Sequence, residues 1–350
     1  MHQKSNQLIW IWCTSDADNG RIQIDTTISN KKLEVVEEGP RLHVQVEGID
    51  PSLTSAFPVK SLQPREVLTL REAEEQILTY VRRHTTAMSC LLASEMTRNV
   101  RTFLETEMKE LAAHFFYKSF DVCTFRELYK RWKSEEIATF ARPIDEMRFY
   151  REELILKPGI QKASDERIIW IDCEMTGLEL GVHRIVEIAC VVTDPNLEVI
   201  DVSNNFVIKQ PLEVMRMMNE WCRKTFKKNG LTEDIEKSCL SAQDVENQLL
   251  EFLSLHCGNG VCPLGGNSVH VDRRFITQDF PKLAEFIGRS DIDVTAVSGM
   301  IYFTSPIARM RTVASTNRCH RALDDILRSI SIMRTVYEQV RDDMWYGNAY

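Results

Sequence analysis

The chain has 350 residues, 43% of them apolar and 27% charged, with a formal net charge of −8 at pH 7. That is one large domain or two ordinary ones with the composition of a soluble globular protein, and no apolar run reaches the roughly 18 residues needed to cross a bilayer. Residues 1–165 carry 23 Lys and Arg against 25 Asp and Glu, the remainder 20 against 26, so neither half is the basic surface that long nucleic acid requires; a short substrate held by a few contacts fits better. In chain order, Met1–Asn6 leave little room for a targeting peptide before the strand-like Leu8–Ile11. The polar, Gly-containing Lys157–Asp165 reads as a linker. Strands are predicted over Ile168–Cys173, Val186–Thr193 and Asn204–Ile208, rich in Val and Ile and bounded by turn residues, with Gly177 turning the chain after the first. Helical spacing follows over Val214–Lys224, Ala242–Leu255, Asp272–Phe286 and Ala322–Val340. Strands followed by helices predict an α/β sandwich.

The ten cysteines are scattered without a CxxC pair and are expected to be reduced thiols of an intracellular protein. His256, Cys257 and Cys262 lie close in sequence but lack a second ligand pair for zinc.

The two halves match in order. Ile9-Trp10-Ile11-Trp12-Cys13 parallels Ile169-Trp170-Ile171-Asp172-Cys173, and Arg21 through Leu33-Glu34-Val35 parallels Arg184 through Leu197-Glu198-Val199. The run from Arg71 to Leu78 reads like Ala242–Leu249, Arg101-Thr102-Phe103 like Arg273-Arg274-Phe275, and Phe120-Asp121-Val122 like Ile292-Asp293-Val294. Last, Ala141–Glu146 parallels His320–Asp325. Ordered matches of this kind predict a tandem duplication: one domain over 1–156, a linker over 157–166 and a second domain over 167–345.

Asp172 and Glu174 lie two apart at the end of the first strand of the second half, and side chains at i and i+2 of a strand share a face. Two carboxylates so placed repel unless something neutralises them; a pair of hard divalent cations would do so. Asp272 opens a helix-like run after Gly265-Gly266-Asn267-Ser268. The last helix begins near His320, with Asp325 five residues on, where a histidine can act as base while the carboxylate holds metal.

Asp172-x-Glu174, Asp272 and His320-x-x-x-x-Asp325 resemble the DEDDh 3′→5′ exonucleases of the RNase T/DnaQ-like superfamily. The residues around them, Trp170 to Leu178, Gly266-Asn267-Ser268 to Phe275 and His320 to Ile326, look like oligoribonuclease. The resemblance implies an RNase H-like fold, a mixed central sheet flanked by helices, in each half. It implies two-metal hydrolysis of short single-stranded RNA to mononucleotides with Mg²⁺ or Mn²⁺, and Asp172, Glu174, Asp272 and Asp325 as ligands. His320 would be the general base, its unperturbed pKa near 6.5 suiting proton removal at neutral pH. Leu178 would wedge against a substrate base, Trp221 would stack near the other, and Ser268 would contact the 5′ phosphate. This sequence departs from the family at Phe226, where a histidine is expected, and at Asn229, where a serine is expected, which puts recognition of the 5′ phosphate in doubt.

In the first half the catalytic places hold Trp12, Thr14, Val100 and Ala141; only Asp325 keeps a carboxylate counterpart, Glu146. That half is expected to be inactive. Oligoribonucleases resemble one another in being homodimers whose subunits lend a Tyr-Arg pair, just before an Asp-Val, to the partner's site. Arg289-Ser290 stands at that place in the second half and Tyr117-Lys118 in the first. The expectation is a covalent pseudo-dimer with one active site completed by Tyr117 and Lys118, which needs no second chain because tethering raises the effective concentration of the partner surface. The leading function is degradation of very short RNA; the alternatives are 3′-end trimming of longer RNA, or an RNA- or protein-binding role with the first half as interaction module. A cytoplasmic location is expected, with mitochondria, where family relatives also work, as the alternative.

Overall fold

The computed structural model describes residues 7–16, 19–46, 49–54, 57–59, 66–133, 138–156, 166–304 and 319–341; the expected linker, up to Asp165, lies outside them. Of the described residues, those up to Phe125, Ala138–Glu152 and Tyr302–Thr304 form one compact unit, and the rest form a second. No described helix is long and apolar enough to cross a membrane.

The first unit contains β1 (Gln7–Asp16), β2 (Arg21–Asn30), β3 (Val35–Gln45), α1 (Pro51–Thr54), β4 (Val67–Leu68), α2 (Leu70–Arg82), β5 (Cys90–Ser94), α3 (Thr97–Glu107), α4 (Lys109–His114) and β6 (Phe115–Asp121). Then come α5 (Val122–Trp132) and α6 (Pro143–Tyr150), followed by a π-helical turn over Arg151–Leu156. Its sheet has the order β4-β3-β2-β1-β5-β6. β1 runs antiparallel to β2 and parallel to β5, which pairs in parallel with β6. Alternate residues of β1, Ile9, Ile11 and Cys13, enter a core with Ile22, Ile24, Val44, Ile77, Val81, Phe103 and Leu104.

The second unit has β7 (Ile168–Met175), β8 (Ile185–Thr193), β9 (Val199–Val202), β10 (Phe206–Val207), α7 (Leu212–Met217), α8 (Glu220–Asn229), α9 (Leu231–Lys237) and α10 (Ala242–Ser254). There follow β11 (Leu264–Gly266), α11 (His270–Asp279), α12 (Pro281–Phe286), β12 (Asp291–Asp293), α13 (Val294–Thr304) and a last helix, α14 (Ala322–Arg341). The sheet order is β10-β8-β7-β11-β12, with β9 also on β8. β8 is antiparallel to β7, and β7, β11 and β12 are parallel. Both sheets are thus mixed, with the first strand central, and the fold is α/β.

Two predicted helices are each broken in two. Val214–Lys224 is interrupted at Met218, whose ψ of 130° is extended, and Asp272–Phe286 at Phe280, just before the helix-starting Pro281. β9, β11 and β12 escaped prediction because they are very short, and β11 is two-thirds glycine, which has little strand preference.

The two units repeat their side-chain contacts as well as their strands. Trp10 Nε1 donates to Ser29 Oγ at 2.8 Å, and Trp170 Nε1 to Thr193 Oγ1 at 3.0 Å. Thr69 and Glu72 form a capping box on α2, and Ser241 and Asp244 form one on α10, a device that satisfies otherwise orphaned amides. Leu111 N donates to Glu74, and Leu283 N to Glu246. Arg101 reaches from α3 to Phe116 O and Ser119, as Arg273 reaches from α11 to Gly288 O and Asp291. Leu33 and Leu197 both hold a left-handed backbone, φ +64° and +70°, in the turn after the second strand. Their carbonyls accept from Arg148 of α6 and Arg334 of α14.

That last correspondence corrects the alignment of the final helices. If Arg148 stands where Arg334 stands, Glu146 falls at the place of Ile332 and not of Asp325, two helical turns away. Glu146 instead accepts a 2.8 Å hydrogen bond from Tyr150. In that register the place of Asp325 falls on Thr139, which carries no carboxylate.

Gly265 is fixed by contact. A Cβ there would lie 2.7 Å from the Trp170 ring, which has no space to retreat in a fully buried position. Gly265→Ala is expected to cost about 1–3 kcal/mol of unfolding free energy, as overpacked cores do. Urea unfolding measures it; a variant as stable as wild type would show that β11 moves freely off Trp170.

Candidate active site

β7 divides its side chains by the strand period. Ile169, Ile171, Cys173 and Met175 enter the core, and the intervening Trp170, Asp172 and Glu174 face the other way. Across β8, Asp172 lies opposite Ala189 and Glu174 opposite Glu187. The small alanine leaves room beside Asp172, whereas two glutamates side by side repel.

The remaining carboxylates arrive from helices. Asp272 sits in the first turn of α11, buried, and its Oδ1 accepts from Cys173 N at 2.9 Å. α11 is thereby tied to β7 between the two β7 carboxylates. Asp325 lies in the first turn of α14, 3.9 Å from Arg328. His320 precedes that helix with a left-handed backbone, φ +51°. Ligand atoms of Glu174, His320 and Asp325 all lie within 4.8 Å of one another.

Burial pushes Asp172 well above the usual carboxylate range, and the neighbouring Asp272, Glu174, Asp325 and Glu187 push it further. Glu174 is raised to about 8 by burial and then by Asp325, Glu187 and Asp272, against a lowering pull from Arg321. Asp272 is also raised to about 8, chiefly by burial, although backbone hydrogen bonds oppose the shift. Four carboxylates and an imidazole in one place are an oxygen-rich donor set whose acids repel one another. Hard divalent cations suit such a set, and the residues present fit them.

Residues around these groups fix the segment that carries His320. Glu187 is fully buried and accepts from Arg321 Nε at 2.8 Å, Ala322 N at 2.9 Å and Asn205 at 2.7 Å. Arg321 also meets Asp234 of α9 at 2.9 Å. A lone carboxylate inside the apolar Ile185-Val186-Glu187-Ile188 is the signal that could have marked it. Asn229 donates to the carbonyls of Cys319 at 3.0 Å and His320 at 2.6 Å.

The expected substrate-contacting residues fall in different settings. Leu178 and Trp221 are 52% and 56% exposed, so neither is a core residue. Leu178 follows Gly177, where a Cβ would lie 2.4 Å from the His183 ring, and the same loop is pinned to α11 by Gln278. Trp221 meets the His320 ring edge-on at 4.9 Å. Ser268 is buried, and its hydroxyl is 2.9 Å from Thr295 Oγ1. Phe226 is fully buried among Val186, Met218, Cys222, Leu231 and Ile235. Tyr117 and Lys118 lie on β6 of the first unit, with Tyr117 partly exposed, 4.5 Å from the Phe116 ring and 6.0 Å from Lys118 Nζ.

The matching places in the first unit are differently filled. Trp12, Thr14 and Val100 are buried there, with Trp12 opposite Asp25 and Thr14 opposite Gln23. Asp25 is paired with Arg41 and bonded by Gln23, so its charge is already matched. Among the described residues no acidic metal cluster lies in this unit.

A family model described as an exonuclease matches residues 169–333. A probable oligoribonuclease of Caenorhabditis elegans is 42% identical over 176 residues, 50% of this chain and 90% of that protein. A probable oligoribonuclease of Dictyostelium discoideum is 39% identical over 183 residues, 51% of this chain and 92% of that protein. The mitochondrial oligoribonuclease of Homo sapiens is 36% identical over 165 residues, 47% of this chain and 69% of that protein. Nearly whole relatives thus match about half of this chain, which belongs to the oligoribonuclease family of 3′→5′ exoribonucleases.

Proposed function

We propose that the chain hydrolyses short oligoribonucleotides to mononucleotides at a single two-metal site. The observation that carries this is the approach of Glu174, His320 and Asp325 within 4.8 Å beside the buried Asp272. Asp172, Glu174, Asp272 and Asp325 would hold two Mg²⁺ or Mn²⁺ ions. Bound there, the ions supply positive charge for the scissile phosphate and lower the pKa of the attacking water. His320 takes the proton from that water on an imidazole nitrogen, and Leu178 and Trp221 offer exposed apolar surface to the bases. Ser268 would contact the 5′ phosphate only by giving up its bond to Thr295.

The duplicated reading, with domains over 1–156 and 167–345 joined by 157–166, is supported by the repeated contacts described above. It makes the chain a covalent pseudo-dimer in which Tyr117 and Lys118 complete the one site. A cytoplasmic site of action remains the proposal, and mitochondria the alternative that mitochondrial relatives make concrete.

A second reading, trimming of longer RNA, gains from two residues. Phe226 is committed to the core and Asn229 to the backbone before α14, so neither is spent on a 5′ phosphate. A length series of 5′-labelled RNAs separates the two readings: dinucleotides disappear fastest under the first, long strands under the second.

Asp172→Ala, or chelation, is expected to abolish hydrolysis of a dinucleotide, and His320→Ala to slow it by about 10²–10⁴-fold, the usual worth of a general base. Full turnover in Asp172→Ala would sink the metal reading.

Glu174 and Asp272 bind their protons more tightly folded than unfolded, so their contribution to stability is present below the ordinary carboxylate range and is lost as pH rises toward about 8. In chelator, the melting temperature should fall as pH climbs from about 4.5 to about 8. The rise produced by added Mg²⁺ should grow over the same window. A Mg²⁺ effect that is flat with pH would contradict it.

Tyr117→Ala should cut dinucleotide turnover while leaving the melting temperature near that of wild type. Unchanged turnover would remove Tyr117 from the site.

A further inference from the structure

His320 stands in a backbone conformation that non-glycine residues avoid, φ +51°, at a cost of order 1–3 kcal/mol. Such a conformation persists only where the surroundings hold it. The holding contacts are specific. Asn229 is the last residue of α8, and Gly230 after it turns left-handed, φ +85°, so the helix stops there. Its Nδ2 donates to Cys319 O at 3.0 Å and to His320 O at 2.6 Å. Its Oδ1 accepts from Leu231 N at 3.1 Å, which orients the amide with its two donors toward those carbonyls. The two residues that follow His320 are fixed from elsewhere, Arg321 by Glu187 and Asp234, and Ala322 N by Glu187. Trp221, on the same helix as Asn229, meets the imidazole edge-on at 4.9 Å.

We propose that Asn229 is a positioning residue for the reaction: its carboxamide holds the Cys319–His320 backbone in the left-handed turn that aims the imidazole at Glu174 and Asp325. α8 then serves the base twice, fixing its main chain from one end and flanking its ring from the other. The side chain that departs from the family at this position is thereby given a role, one that acts on the base and not on a phosphate. This rests on the reading of His320 as general base.

Two substitutions separate donor from bulk. Asn229→Asp keeps the size and loses the donors; Asn229→Ala loses both. Each is expected to lower kcat on a dinucleotide by about 10–100-fold, since a displacement near 1 Å can cost that much. KM should stay within about twofold, because the Asn229 amide donors are spent on the Cys319 and His320 carbonyls. Repeating both substitutions in a His320→Ala background makes a double-mutant cycle. There the proposal expects no further loss, because the residue being positioned is gone. Equal losses in the two backgrounds, or an unchanged kcat, overturn the proposal while leaving His320 as base. A rise in KM with kcat intact also overturns it and returns Asn229 to substrate binding. A His320→Ala protein with wild-type turnover overturns the parent reading instead, and that single variant shows which of the two has failed.

Discussion

Mutual repulsion among carboxylates governs this molecule. Asp172, Glu174, Glu187, Asp272 and Asp325 crowd one end of a sheet in the second unit, and burial together with neighbouring acids raises the proton affinity of Asp172, Glu174 and Asp272. No arrangement of this kind forms because the acids attract one another. It forms because strand pairing places Asp172 and Glu174, the Cys173 amide holds Asp272, and Arg321 draws Glu187 and the start of α14 together. The apolar side of the same sheet supplies the free energy that keeps the charges close. A cation entering the site would meet carboxylates already assembled at the expense of the core.

The first unit shows the same frame with the repulsion removed. Trp12 and Thr14 stand at the matching places on the strand and Val100 at the matching place on the helix, and Asp25, opposite Trp12, is matched by Arg41. Measured from the arginine that clasps the leucine turn, α6 begins two helical turns later than α14. The tryptophan donor bonds, capping boxes, buried arginines and left-handed leucines recur in both units, because they serve the frame and not the chemistry.

The catalytic candidates were legible because their spacing is tied to fixed structural events: a strand period for Asp172 and Glu174, a helix start for Asp272, another for Asp325. Glu187 was overlooked because its role is defined by a contact with Arg321, which is 134 positions away. Asn229 was read as a loss for a related reason; sequence shows the residue that is missing and not the carbonyls that the new one reaches. The register of the final helices is hard to read from sequence because a shift of seven residues is close to two turns and leaves the buried stripe on the same face. Ile144 and Met147 fit either register, and only the contact of Arg148 with Leu33 decides between them. The strand Leu264–Gly266 was invisible since its identity comes from close packing against Trp170, where glycine is demanded by space and not by strand preference.

The grip of Arg334 on Leu197 bears on biogenesis. The turn that Arg334 clasps is built 137 residues before the arginine itself, and the same helix carries Asp325. The hairpin can form on a growing chain, but its closing contact and the last carboxylate are delivered together, after every strand of the sheet has been made. A chain that has completed all the strands still lacks both Asp325 and the clasp on Leu197, and the two arrive together with the docking of one helix.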